Sequence, residues 1–289
     1  MNIKSYKDFQ NDAENGTLNG FYANVPNEDY HKSPGISKSG LDLINKSPAH
    51  YKFAPPRKPS AAMHIGTAIH TAILEPVVFQ KDYMCLENID DKRKSEYKEA
   101  VKEFGKDFVL TASESANIKG MQEALLSNYD AYELLSSTQY TEISCYATDC
   151  VGILLKCRFD GLDIKNGVAI DLKKTRDASA RGFSKSVAEY RYHVQEAFYR
   201  HVYALAAGVP LERFVFIAVE DNAPYYSKVW QLDHEAANIG LHEANKDIQA
   251  YTIAYNDDYW PLPDGGTELL SLPSWKISQY EEELEQEIK

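Results

Sequence analysis

The chain has 289 residues, 44% hydrophobic and 26% charged, an ordinary composition for a soluble globular protein with a substantial core. Its net charge of −12, from 31 basic and 43 acidic residues, argues against non-specific coating of nucleic acid but permits basic residues confined to a groove. No apolar run approaches the roughly 20 residues a membrane span requires, and the opening MNIKSYKDFQNDAENG lacks the apolar stretch of a secretory signal, so a cytoplasmic protein with no membrane partner is expected.

Residues 1–36 are polar and turn-rich and read as an extended N-terminal arm. A short helix follows, with Ser37 or Ser39 as N-cap, running through Leu41, Leu43 and Ile44 to a break at Pro48. APPRKP (54–59) is a stiff surface connection, and AMHIGTAIHTAILEP (62–76) a buried helix stopped at Pro76, in which Gly66 is expected to admit a second backbone. Residues 91–135 are helical in pattern, capped by Thr111 or Ser113, and strands are predicted at about 141–148, 151–163 and 168–174. One long helix is predicted over 183–207, ending at Gly208-Val209-Pro210. RFVFIAVE (213–220) is a buried strand, SKVWQL (227–232) its hairpin partner, and a polar helix occupies 233–254. The expected division is an arm (1–36), a domain (37–255) and a tail (256–289), with an α/β sheet flanked by helices. The cysteines Cys85, Cys145, Cys150 and Cys157 form no CxxC pair, which disfavours zinc. Three of them lie in or beside predicted strands and read as reduced core residues.

The densest chemistry lies in KCRFDGLDIKNGVAIDLKKT (156–175). Asn166-Gly167 between two apolar runs signals a hairpin, with Asp160 near the end of one strand and Asp171 within the next. Strand alternation puts Asp171 and Lys173 on one face and Leu172 on the other. Two carboxylates beside an ammonium suit metal-assisted phosphodiester cleavage, because acids hold a hard cation and a lysine positions water or offsets charge. A buried charge after Val168-Ala169-Ile170 is costly unless paired or metal-bound, so an Asp171–Lys173 salt bridge is the structural alternative. Lys156, Arg158, Lys173, Lys174, Arg176 and Arg181 gather positive charge here.

His70 shares a helical face with Gly66, although alone it also fits a core or capping histidine, and His64 competes with it. Gln195 and Tyr199, one turn apart on the long helix, can reach a phosphate oxygen or base edge, and tyrosines there also serve packing. Glu142 opens EISCYA and by itself reads as a solvated acid.

Taken in order, G-T-A-x-H, D-x(10)-D-L-K and Q-x(3)-Y resemble the RecB-like branch of the PD-(D/E)XK nucleases. YHKSPGISKSGLDLINKSPAHY (30–51) and GTAIHTAILEPVVF (66–79) look like the C-terminal nuclease of RecE-type exonucleases, with similarity over roughly residues 28–230. The resemblance implies a restriction-endonuclease-like mixed central sheet flanked by helices. It implies His70, Asp160, Asp171 and the Leu172 carbonyl as ligands of Mg²⁺, with Mn²⁺ a plausible substitute because one ligand is an imidazole. Lys173 would orient or deprotonate the attacking water, Gln195 and Tyr199 would hold DNA near the cut, and Glu142 would touch metal-bound water. The implied activity is a 5′→3′ exonuclease on double-stranded DNA ends that leaves a 3′ single strand for a RecT-type annealing protein. The implied assembly is a ring-like homotetramer, and the implied origin is phage or prophage. An endonuclease, a nuclease of opposite polarity and a non-catalytic DNA-binding module on the same fold are the alternatives.

Overall fold

The structure is a computed structural model that describes residues 2–55, 61–263 and 265–287. Residues 56–59 of the predicted stiff connection lie outside the described residues. The chain opens with β1 (Ile3–Lys4), α1 (Tyr6–Glu14), β2 (Gly20–Tyr22) and α2 (Asn27–Lys32). Helices α3 (Lys38–Lys46), α4 (Pro48–Lys52), α5 (Ala61–Leu74) and α6 (Pro76–Asp82) follow, then β3 (Met84–Cys85), α7 (Ser95–Phe104) and β4 (Val109–Leu110). Next come α8 (Ala112–Ser127), α9 (Tyr129–Ser137), β5 (Tyr140–Thr148), β6 (Leu154–Asp163) and β7 (Val168–Thr175). The last elements are α10 (Ala180–Glu189), α11 (Tyr192–Ala207), β8 (Arg213–Glu220), β9 (Ser227–Trp230), α12 (His234–Asn256) and α13 (Ser274–Glu287).

Seven strands form one mixed sheet in the order β1-β2-β5-β6-β7-β8-β9, and β3 pairs with β4 in a small second sheet. The β5–β6–β7 meander is antiparallel, β7 and β8 are parallel through the α10–α11 crossover, and β9 returns antiparallel to β8. Period-2 alternation builds two cores. Ala169, Phe214, Phe216 and Ala218 pack with Val194, Phe198 and Val202 of α11 on one face, whereas Val168, Ile170, Leu172, Val215 and Ile217 pack with Ile69, Ile118 and Met121 of α5 and α8 on the other. The mixed sheet flanked by helices is the expected fold class.

Capping chemistry sets several element ends. Ser37 accepts from Gly40 N at α3, Thr111 and Glu114 form a capping box at α8, and Asp233 caps α12. Gly208, at φ +71°, ends α11 in the left-handed region. The β6–β7 hairpin closes on Gly167 at φ +64°, with the Asp163 carboxylate accepting from Asn166 N (3.1 Å) and Nδ2 (2.6 Å).

Five expectations need correction. Residues 1–36 are not an extended arm: β2 pairs with β5, and Phe9, Leu18, Tyr22, Val25 and Tyr30 bury against Tyr146. Apolar residues too scattered to show a period supply that cluster. The predicted 183–207 helix is two, α10 and α11, broken where Arg191 takes φ +54°. Pro48 and Pro76 each begin a further helix as well as ending one, since a first-turn proline gives up no helical hydrogen bond. A side chain added at Gly66 would meet open space, so among the described residues no second backbone packs on it. Cys145 and Cys157 are core residues, but Cys150 sits exposed in the β5–β6 turn.

Among the described residues no helix is long and apolar enough to cross a membrane.

Candidate active site

Strands β6 and β7 pair only at Gly161↔Ile170, Leu162↔Ala169 and Asp163↔Val168, and then part. Gly161 permits the last close pairing, because a Cβ there would run into the Ile170 side chain. Beyond it the Asp160 carboxylate takes over from the backbone ladder, its Oδ2 accepting from Leu172 N at 2.7 Å. The splay has a chemical consequence. Asp160 extends toward α5, Asp171 extends toward α11, and the gap between the strands brings the two carboxyls into one site.

On the α5 side, His70 Nδ1 lies 3.5 Å from Asp160 Oδ2 and 3.9 Å from Glu142 Oε1. These three residues each offer a ligand atom within 4.8 Å of the others. Glu142 stands across from Asp160 on β5, between the paired residues Thr141↔Gly161 and Ile143↔Phe159, and its φ is +48°. Burial, with the Asp160 charge second, pushes the Glu142 carboxyl up to about 8, against the opposing pull of Arg158. Arg158 Nη1 is 4.0 Å from Glu142 Oε2 and its Nη2 donates to Val25 O at 2.7 Å, so the N-terminal segment holds this guanidinium in place.

On the α11 side, Asp171 is 3% exposed; Gln195 Nε2 donates to its Oδ1 and the Lys173 ammonium reaches its Oδ2. The Lys173 ammonium is the counter-charge to Asp171 Oδ2, which has no other hydrogen-bond partner among the described residues. Lys173 also lies over the Tyr192 ring, 4.5 Å from its centroid. Burial raises the Asp171 carboxyl despite Lys173. Burial would lower Lys173, but the Asp171 and Asp160 charges outweigh it and hold the amine above its ordinary value, as an ammonium. As the alternation predicts, Leu172 packs in the opposite core.

The two halves open into a cleft of about 720 Å³ whose lining includes Gly66, His70, Glu142, Arg158, Asp160, Gln195 and Tyr199. Tyr199 contributes a ring packed edge-on against Phe159 (5.3 Å) and Phe214 (5.9 Å), so its packing and cleft-facing roles coexist. His64 stands apart, 3.7 Å from Asp107. Of the six basic residues grouped in sequence, only Arg158 and Lys173 bear on the site. Lys156 is buried on Tyr30 O (2.9 Å) and Ser33 O, Lys174 pairs with Asp221 (2.7 Å), and Arg176 and Arg181 are exposed outside the cleft lining.

The donor set fits a hard divalent cation: two carboxylates and one imidazole converge, with the Asp171 carboxyl beside them. Sequence reasoning ranked Glu142 as accessory and Asp171 as a ligand. The geometry draws Glu142 into the close cluster and turns Asp171 toward Lys173 and Gln195. Tyr192 was missed, although it shares a stripe with Gln195 and Tyr199 at i, i+3 and i+7.

A mixed sheet with an Asp-bearing hairpin, a strand lysine and a helix-borne histidine defines a PD-(D/E)XK-type site. The chain belongs to the family described as PDDEXK-like domain of unknown function (DUF3799), which matches residues 37–273, and thus to the PD-(D/E)XK nuclease superfamily, whose nucleases use divalent cations. Among solved structures it is similar to a candidate exonuclease from Eubacterium rectale, at 13% identity and a TM-score of 0.57, covering 86% of this chain and 95% of that one. A second, SSO0001, is matched at 13% identity over 65% of this chain and 85% of that one, with a TM-score of only 0.28. No curated protein matches the chain.

Proposed function

We propose that this protein is a metal-dependent 5′→3′ exodeoxyribonuclease that degrades linear double-stranded DNA and leaves 3′ single strands for annealing-type recombination. The observation that carries the reading is the convergence of His70, Glu142 and Asp160 on one side of the β6–β7 splay with Asp171, Lys173 and Gln195 on the other. A divalent cation held there would supply Lewis acidity toward the scissile phosphate and lower the pKa of a bound water. His70, Glu142 and Asp160 would hold it, with Asp171 and the Leu172 carbonyl as further ligands in this reading; Mg²⁺ is the expected ion and Mn²⁺ its substitute. Lys173, beside the Asp171 and Asp160 carboxylates that raise its pKa, would orient or deprotonate the attacking water and offset phosphate charge. Gln195 fixes the Asp171 rotamer, and Tyr199 and Arg158 face the strand in the cleft.

The same reading makes DNA ends the substrate, a RecT-type annealing protein the downstream partner, a ring-like homotetramer the assembly and the cytoplasm of a phage-infected or lysogenic cell the setting. Linear and circular duplexes incubated with Mg²⁺, each linear end labelled separately, test it. Early loss of the 5′ label, sparing of the circle, and at least a 1,000-fold loss in Asp171→Ala are expected. Cutting of the circle, early loss of the 3′ label, or wild-type turnover in Asp171→Ala each sinks part of the assignment.

A further inference from the structure

Helix α7 divides its surface into three sectors. Tyr97, Ala100, Val101 and Phe104 pack with Val109 and Met84 in a small core, and Glu96, Glu99 and Glu103 gather on one side of that core. On the other side Lys94, at the N-cap, is followed by Lys98 and Lys102 at steps of four residues, and all three are exposed. The row spans about 12 Å, the axial rise of three to four nucleotides at roughly 3.4 Å each.

Three features describe the row. Among the described residues none of them makes an ion pair, whereas their neighbours Lys92 and Arg93 are taken by Glu114 (2.7 Å) and Asp91 (2.9 Å). Each consecutive pair places like charges at i and i+4, a mildly unfavourable arrangement that Glu99, three residues before Lys102, offsets in part and that bound phosphates would relieve further. They also form a concentrated basic row in a chain of net charge −12.

The lobe carrying the row is fastened to the helix that supplies His70. Tyr83, at its base, stacks on Phe79 (4.7 Å) and meets Phe108 (5.3 Å), and Asp107 reaches His64 of α5 at 3.7 Å. Six residues, about 9 Å of helix, separate His64 from His70 in the cleft. We propose that the Lys94–Lys98–Lys102 row grips the phosphate backbone of duplex nucleic acid leading into the cleft. None of the large apolar side chains of α7 is exposed for insertion into a bilayer, which favours a soluble polyanion over a lipid surface. The proposal rests on the nuclease reading for the identity of its ligand.

Fluorescence anisotropy of a duplex of about 30 base pairs, in Ca²⁺ across a salt series, tests it. Replacing all three lysines (Lys94→Gln, Lys98→Gln, Lys102→Gln) is expected to weaken binding at least 10-fold at low salt and to reduce the slope of log K against log salt by about 2 to 3, roughly 0.9 per lost phosphate contact. Arginine at the same three positions retains both affinity and slope. An unchanged slope in the glutamine variant, or binding of phosphatidylserine vesicles by wild type in preference to duplex, overturns the proposal. Wild-type cleavage with Mg²⁺ or Mn²⁺ is scored in parallel. If wild type cuts DNA and the slopes match, the row alone fails; if wild type cuts nothing and the slopes differ, the nuclease reading fails and the row stands.

Discussion

Glu142 holds a left-handed backbone conformation at φ +48°, one that costs a non-glycine residue about 1–3 kcal/mol and survives only where its surroundings impose it. Pairing on both sides, at Thr141↔Gly161 and Ile143↔Phe159, imposes it here and turns the carboxyl toward His70 and Asp160. Its pKa of about 8 lies above the value in an unfolded chain, so folding favours the protonated form. The stabilisation is therefore complete below the ordinary glutamate pKa, near 4.3, and disappears as pH rises through about 8. Because 30% of the side chain stays exposed, water screens part of the effect. Metal-free wild type is expected to lose melting temperature between pH 5 and pH 8.5 relative to Glu142→Gln, and Mn²⁺ at pH 8.5 should restore it in wild type only. Parallel pH profiles for the two proteins in chelator would show that Glu142 does not carry the proton. The local pattern did not announce this residue's weight, and the family resemblance gave it only an accessory place at metal-bound water: a glutamate opening a strand looks solvated until the opposing strand puts an aspartate across from it.

At the scale of elements, periodicity and punctuation made most of the sheet legible. Asn166-Gly167 marked the β6–β7 turn, Gly208 the end of α11, and the alternation in DLK correctly separated Leu172 from Asp171 and Lys173. The α10–α11 corner was not legible, because nothing local in EYRYH forbids a helix; the break is set by tertiary charge. Arg191 donates to Asp42 (3.1 Å), Glu243 (3.1 Å) and Asp247 (2.6 Å), and Lys38 donates to Tyr190 O (2.6 Å). This network fixes where α11 starts, and hence where Tyr192 meets Lys173 and Gln195 meets Asp171. Removing the guanidinium leaves Asp247, 2% exposed, without its main counter-charge, a loss of about 3–5 kcal/mol. Arg191→Ala should therefore melt on the order of 10 °C lower, with Arg191→Lys in between. Differential scanning calorimetry checks the order, and an alanine variant within 2 °C of wild type would falsify the role of the network.

For the molecule as a whole, the N-terminal segment matters most, since the family match begins only at residue 37. The segment before it supplies two strands to the sheet, buries Tyr146 under Phe9, Tyr22 and Tyr30, and lends the Val25 carbonyl to Arg158 at the cleft. It is both a patch on the β5 edge and a wall of the site. Phe9, Leu18, Phe21 and Tyr22 are each nearly fully buried, and at about 1.5–3 kcal/mol per side chain their burial is comparable to a domain's whole stability. The opposite end differs: Leu269, Leu270 and Trp275 are exposed, while Trp260 stacks on Tyr51 (5.8 Å) and Pro261 O accepts from Ala49 N (3.1 Å). Deleting residues 2–25 should give an aggregating or unfolded protein, because it bares the backbone edge of β5 together with Tyr146. Deleting residues 264–289 should leave the melting temperature of the remainder within a few degrees of wild type. Soluble yield and thermal melts of the two truncations separate the cases. A stable, monodisperse protein without residues 2–25 would mean that β5 tolerates a free edge and that the cleft wall at Val25 is dispensable to the fold.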